Sequence, residues 1–174
     1  MRNPRNFFEP LAIDAPQPAR EIPFKPSRMI HFLDFSNEKM VAKVPEIAAG
    51  VDILLGNLED AVPLDKKEAA RAGLIKVGRE MELGGTALWT RVNELASPYM
   101  LDDITQIVGE IGDKIEVIMV PKVEGPWDIH YVDRLLAQLE ARAGLKRPIL
   151  VHAILETQIG VVNVEEIAAG RRPS

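Results

Sequence analysis

Short uninterrupted apolar runs alternate along this chain with longer stretches in which apolar residues return every three or four positions. The clearest run is Ile149–Leu155, bounded by Pro148 on one side and by Glu156, Thr157 and Gln158 on the other. A run that short, β-branched at several positions and without helical period, predicts a fully buried parallel strand. The clearest helical face joins Ile129, Val132, Leu135, Leu136, Leu139 and Ala143, and it predicts a helix over Trp127–Ala143 stopped by Gly144.

From Arg28 onward the two patterns take turns. Strands are predicted at Arg28–Leu33, Val51–Leu58, Ala87–Val92, Ile115–Val120 and Ile149–Leu155. A first helix is predicted at Asn37–Ala49, with Ser36 as its cap and a kink at Pro45. A second runs from about Lys66 to Met81, with Asp65 as cap and Gly84-Gly85 as stop. A third opens at Ser97-Pro98, a cap followed by proline at the first helical position, and ends near Gly109. A short last helix covers about Val162–Ala169. Strand starts lie roughly 25–35 residues apart, the repeat of βα units on a parallel sheet. Two architectures share that repeat. One is an open, doubly wound five-stranded sheet; the other is the first five-eighths of a (β/α)8 TIM barrel, which takes ~250 residues when complete. Periodicity does not separate them.

Residues 1–27 break the pattern, because they hold six of the thirteen prolines (Pro4, Pro10, Pro16, Pro18, Pro23 and Pro26). That density disfavours helix and sheet and predicts an extended arm lying on the body, with Phe7, Phe8, Leu11 and Ile13 to bury. The remainder, 28–174, reads as one α/β domain, and 174 residues at 47% hydrophobic content suffice for a core. A net charge of −5 with dispersed basic residues argues against nucleic acid as a partner. The absence of cysteine excludes disulfides, a thiolate nucleophile and a zinc–thiolate centre. With neither a signal-peptide pattern nor an apolar run near ~18 residues, the expectation is a soluble cytoplasmic protein that does not meet a membrane.

Strands buried on both faces should shed charge, yet four of these deliver it at their carboxyl ends. The endings are Asn57-Leu58-Glu59-Asp60, Arg91-Val92-Asn93, Lys122-Val123-Glu124 and Glu156-Thr157. In parallel α/β folds ligands sit beyond those ends, so the pattern predicts a polar pocket on that rim, with Glu156 first among its candidates. Each residue also has a plainer reading. Glu59 and Asp60 are placed equally well to cap the second helix or pair with Lys66 or Lys67, and Lys122 and Glu124 to form a structural ion pair across the rim. Arg91 requires an anionic partner, either a substrate carboxylate or Glu59, since guanidinium keeps its charge when buried. His31, His130 and His152 lack metal-ligand spacing. His152 reads as a core histidine, and Trp89 and Trp127 as packing residues. Carboxylates with an arginine suit a hard cation such as Mg²⁺, an α-keto acid chelated by it, and an enolate oxygen held by the arginine. That is a set of parts for reversible carbon–carbon cleavage. Neither a GxxxxGK[ST] nor a GxGxxG phosphate loop is present.

The segments PSRMIHF, GNLEDAVPLDKKEAAR, ALWTRVNELASP, IMVPKVEGPWDIHYVD and HAILETQIGVVNVEEIA together resemble the citrate lyase β-subunit-like branch of the HpcH/HpaI aldolase family, nearest to its L-malyl-CoA/β-methylmalyl-CoA lyase type. The resemblance implies a Mg²⁺-dependent TIM-barrel lyase that cleaves malyl-CoA to acetyl-CoA and glyoxylate, and β-methylmalyl-CoA to propionyl-CoA and glyoxylate. It implies Glu156 as one of two protein Mg²⁺ ligands and Arg91 as the contact to substrate and to the developing enolate oxygen. Phe32 and Lys43, the latter in the first predicted helix, fall where family members meet the CoA part, and Glu59 and Asp60 occupy the family's acidic pair. An acyl-CoA thioester and glyoxylate are the implied partners, within a homo-oligomer at full length. Two departures accompany it. A CoA-contacting arginine of many members falls at Asn37. The second Mg²⁺ ligand, an aspartate after the sixth strand, and strands six to eight lie beyond Ser174, so the chain is expected to be an inactive N-terminal part of such a lyase. The alternatives are a non-catalytic remnant or acyl-CoA-binding α/β domain, and a sister enzyme such as citramalyl-CoA lyase or a pyruvate-type aldolase.

Overall fold

A computed structural model describes residues 12–19 and 25–170. Its strands are β1 (Ile30–Leu33), β2 (Ile53–Asn57), β3 (Ala87–Arg91), β4 (Ile115–Val120) and β5 (Leu150–Ala153). Between them run α1 (Glu38–Val41), α2 (Val44–Ala48), α3 (Lys67–Glu80), α4 (Met100–Ile111) and α5 (Pro126–Ala143), and after β5 come α6 (Gln158–Val162) and α7 (Val164–Ala169). All four strand pairings are parallel, and the spatial order β1-β2-β3-β4-β5 is the order of the sequence. A doubly wound sheet reverses direction at a switch point; this sheet does not. Consecutive order is the arrangement of a segment of a TIM-barrel-like fold.

The register explains which side chains reach which face. Gly56, Thr90, Ile118 and Val151 stand level across β2 to β5, and a Cβ on Gly56 would press on Leu74 of α3 and on Phe35. That row therefore faces the helices. Leu54, Leu88 and Ile118 join Leu74, Ile104 and Leu136 in one core, each almost wholly buried. Burying a side chain of this size contributes roughly 1.5–3 kcal/mol. The intervening row, Asn57, Arg91, Met119 and His152, faces the opposite way.

Element boundaries differ from the pattern where local chemistry intervenes. β1 begins at Ile30 because the backbone N–H groups of Arg28 and Met29 both donate to Oδ2 of Asp52, at 2.7 and 3.1 Å, before strand pairing starts. The first predicted helix is two, since Pro45 in the first turn of α2 cannot donate to the turn before it. Its cap is Asn37, whose Oδ1 accepts from Lys39 N at 3.1 Å, and not Ser36. Lys43 thus lies in the turn between α1 and α2. Asp65 sits in a 3-10 turn, Leu64–Lys66, and does not cap α3. The Ser97-Pro98 turn places Ser97 Oγ as acceptor from Tyr99 N, and α4 begins one residue later, at Met100. The last predicted helix corresponds to α7, and before it the structure adds a short helix the pattern did not predict, α6, capped by Thr157.

Three burial expectations are overturned. β5 is only half-buried and His152 is exposed, because β5 is the edge of the sheet and one of its faces borders a cavity. Trp127 is 58% exposed, lying over Gly125 at the start of α5. In the proline-rich arm Ile13 is 89% exposed while Ala15 is buried; Phe7, Phe8 and Leu11 lie outside the described residues. Among the described residues no helix is long and apolar enough to cross a membrane.

A candidate active site at the carboxyl ends of the strands

The chain leaving β2 is fixed by a buried lysine. Lys67, at the first turn of α3, folds back so that its ammonium donates to the carbonyls of Leu58 (2.7 Å) and Glu59 (3.0 Å). Burial pulls its pKa below the ordinary lysine value. The acidic pair is thus held through its backbone, and its carboxylates are left for other partners. Asn57 Oδ1 accepts from the Glu59 N–H at 3.1 Å and from Arg91 Nε at 2.8 Å, tying the end of β2 to the end of β3.

Beyond Arg91 a second buried set holds the loop. Asp103 of α4 receives Arg71 Nε on one oxygen at 2.9 Å, and on the other the backbone N–H and side-chain amide of Asn93, at 3.0 and 2.6 Å. Arg71, Asn93 and Asp103 are all buried. A carboxylate satisfied on both oxygens is a rigid support, and it fixes the strand end that carries Arg91.

Lys122, immediately after β4, gathers the rim. Its ammonium lies 3.0 Å from Glu59 Oε1, 3.1 Å from Glu94 Oε2 and 3.4 Å from Asp60 Oδ1. Hydrogen bonding to Glu59 and Glu94 raises its pKa well above the ordinary lysine value, so it stays a cation. Its backbone is left-handed, φ 53°, a conformation that costs a non-glycine residue about 1–2 kcal/mol. In that conformation its N–H donates to Glu156 Oε1 at 3.1 Å.

Three carboxylates, Glu59, Asp60 and Glu94, therefore pair with two cations, Lys122 and Arg91, and a fourth, Glu156, joins them through the Lys122 backbone N–H. The excess of negative charge and the all-oxygen donors suit a hard divalent cation. Glu156 is exposed and has one oxygen engaged by the Lys122 N–H, which makes it the carboxylate best placed to hold one. No group of three or more His, Asp or Glu among the described residues forms a cage by itself. A cation there would draw its remaining ligands from substrate, water or donors outside these residues.

The structure brings together Glu59, Asp60, Arg91 and Glu156 of the sequence candidates. Phe32 joins them: the Arg91 guanidinium lies over its ring, 5.4 Å from the centroid. Lys43 is exposed and stands apart from this network. Arg91 reaches Glu59 Oε2 at 3.5 Å, a looser contact than the bond of its Nε to Asn57. Lys122 pairs across the rim with Glu59, Asp60 and Glu94 and not with Glu124, whose backbone N–H instead donates to Asp128 at the start of α5. Glu94 and the Arg71–Asp103–Asn93 set were not among the candidates. The one signal for Glu94 is its position directly after a charged strand end.

A cavity of about 1140 Å³ opens on the sheet away from this rim, lined by Lys25–Arg28, Ile53, Trp89, Glu116, Val117 and the length of β5. His152 stands in its wall, edge-on to Trp89 at 6.0 Å, and desolvation lowers its pKa.

The chain is 60% identical over 163 residues to the malyl-CoA/β-methylmalyl-CoA/citramalyl-CoA lyase of Chloroflexus aurantiacus, which covers 94% of this chain and 47% of that protein. It is 34% identical to an L-malyl-CoA/β-methylmalyl-CoA lyase of Cereibacter sphaeroides, over 84% of this chain and 46% of the other. The chain thus spans about half the length of the curated relatives it matches. Its fold is similar to CitE of Mycobacterium tuberculosis, solved in complex with magnesium and acetate, with a TM-score of 0.61 at 23% identity over 82% of this chain and 50% of CitE. Residues 28–173 match one family throughout, and the chain is a member of it: the HpcH/HpaI aldolase/citrate lyase family.

Proposed function

We propose that the protein to which these 174 residues belong is a Mg²⁺-dependent carbon–carbon lyase. It cleaves malyl-CoA to acetyl-CoA and glyoxylate, and β-methylmalyl-CoA to propionyl-CoA and glyoxylate. Citramalyl-CoA joins the substrate set because the Chloroflexus relative's name includes it. The observation that carries the proposal is 60% identity to that lyase over 94% of this chain; the charged rim agrees with it in chemistry.

In the cleavage the substrate hydroxyl loses its proton and the carbon–carbon bond breaks. Glyoxylate departs, and the electron pair passes to the thioester enolate, which takes a proton at carbon. Mg²⁺, when bound, supplies Lewis-acid polarisation of the substrate oxygens. In this proposal Glu156 is one of its ligands, a second being an aspartate after a sixth strand. Arg91, anchored through Nε by Asn57, offers its remaining N–H groups to a substrate carboxylate or enolate oxygen. Phe32, and Lys43 in the turn before α2, meet the CoA part, while Glu59 and Asp60 order the rim. The surrounding structure is a complete (β/α)8 barrel in a homo-oligomer.

A chimera tests this. Residues 1–170 of this chain are joined to the part of the Chloroflexus lyase that they do not match. Glyoxylate release from malyl-CoA, trapped as its phenylhydrazone, is expected with Mg²⁺ and is abolished by EDTA. A folded chimera that releases none in the presence of Mg²⁺ overturns the proposal.

A further inference from the structure

Asn57, the buried last residue of β2, stands level with Arg91, the last residue of β3. Its amide oxygen accepts from Arg91 Nε at 2.8 Å and from the Glu59 N–H at 3.1 Å. Glu59 is also the nearest anion to that arginine, with Oε2 at 3.5 Å from Nη2. We propose that Asn57 is a positioning residue for Arg91: by holding Nε it keeps the guanidinium from closing on Glu59, and it leaves the two terminal nitrogens for a substrate anion.

An arginine beside a buried carboxylate ordinarily forms a two-pronged pair with it, at about 2.7–2.9 Å. Here the contact with Glu59 has one prong and is longer, while the short bond goes to Asn57. Glu59 does not retreat from the arginine. Its side chain is 3% exposed, its Oε1 is paired with Lys122 at 3.0 Å, and Lys67 grips its backbone carbonyl. The carboxylate therefore stays within reach of Arg91 when Asn57 is gone, and the fork closes on it. Phe32, whose ring the guanidinium overlies, constrains the plane of the fork and offers no acceptor in place of Asn57. The inference rests on Arg91 as the substrate contact, and the two are tested apart, one on the chain without substrate and the other by turnover.

In the first experiment the 174-residue chain is treated with phenylglyoxal, which condenses with the terminal nitrogens of a guanidinium. Modification of Arg91 is followed by mass spectrometry of its peptide. Asn57→Leu keeps the volume and removes the acceptor, so modification of Arg91 is expected to slow several-fold. Asn57→Leu/Glu59→Gln is expected to recover most of the lost rate, since the competing carboxylate is gone. A strand end that had merely loosened would expose Arg91 and speed the reaction, so the sign separates positioning from a structural role. An unchanged or faster rate in Asn57→Leu, or a slow rate that Glu59→Gln leaves as it was, overturns the proposal. Asn57→Ala, checked by circular dichroism, takes the place of Asn57→Leu should the latter fail to fold.

In the second experiment the same substitutions are placed in the chimera with the Chloroflexus lyase. Asn57→Leu is expected to lower glyoxylate release roughly 10²-fold per folded molecule, as loss of one oxyanion donor does. Asn57→Asp, which keeps an acceptor oxygen for Nε, is expected to retain most of it. Full turnover in Asn57→Leu, or an equal loss in Asn57→Asp, overturns the role of Asn57 in the reaction. Absence of turnover in the unsubstituted chimera overturns the lyase reading instead, and the phenylglyoxal rates still decide whether Asn57 holds the fork open.

Discussion

At the scale of single residues the buried Arg71–Asp103 pair makes the sharpest prediction. Asp103→Ala strands a guanidinium in the core and releases Asn93, so it is expected to cost about 3–5 kcal/mol in urea unfolding. Arg71→Met on top of it should restore much of the loss, and a double-mutant cycle without such coupling would contradict this. Arg91→Lys, in the chimera, keeps the charge but gives up the planar fork; turnover is expected to fall roughly 10²–10³-fold while the melting temperature changes little. An unstable but fully active variant would make Arg91 a strut between β2 and β3, held by its contact with Glu59. His152 gives the pH dependence. Desolvation lowers its pKa below the ordinary 6.5, so the unfolded chain takes up the proton first. That part of the stability is complete above pH 6.5 and is lost as pH falls toward the lower folded value, and His152→Phe should flatten the loss. Arg91, Glu59, Asp60 and Glu156 were legible in the sequence because charge at the end of an apolar strand is conspicuous. The Asp103 set was not, because it pairs residues on separate elements, and neither was the grip of Lys122, which needs a left-handed backbone that sequence does not announce.

Elements were legible in proportion to how far their signals are internal to them. β4 has the limits its apolar run predicts, and α5 begins one residue early, at Pro126. Both are set by their own periodicity and by Gly144, which ends α5 at φ 66°. β1 and β5 were overestimated because their ends depend on side chains elsewhere. Ile149 N donates to Glu140 of α5, as the Arg28 and Met29 N–H groups do to Asp52. Asp52→Ala should therefore fray the start of β1, read as faster hydrogen exchange at Ile30 and His31 with β3 and β4 unchanged. Uniform acceleration across the sheet would contradict this. Gly73 makes the opposite point about α3. Ala for Gly within a helix ordinarily stabilises by roughly 0.5–1 kcal/mol. Here a Cβ would overlap the backbone carbonyl of Phe35, so Gly73→Ala is expected to lower the melting temperature. A rise would show that α3 can back away from the β1–α1 connection.

For the molecule as a whole the decisive feature is the uninterrupted strand order, which periodicity could not supply because both candidate architectures share one repeat. In the described structure β1 and β5 are edges, and Met29, Ile30 and Phe32 are exposed beside one of them. The 174-residue chain is therefore expected to self-associate through these edges, with a sedimentation coefficient that rises with concentration; a single monomer boundary at all concentrations would contradict this. Taken alone it is also expected to release no glyoxylate from malyl-CoA with Mg²⁺, since in the proposed site Glu156 is one of two protein ligands and the described residues offer no group of three that could hold a metal; rates matching an intact homologue would overturn that expectation. The same order bears on how such a chain is made. Each strand pairs with the one synthesised just before it, so no contact in the sheet waits for a distant segment. Each pairing closes a loop of one βα unit, so the closure entropy does not grow along the chain. A ribosome translating this sequence can add βα units to a growing edge one at a time, and that edge is open to other chains until the next strand covers it.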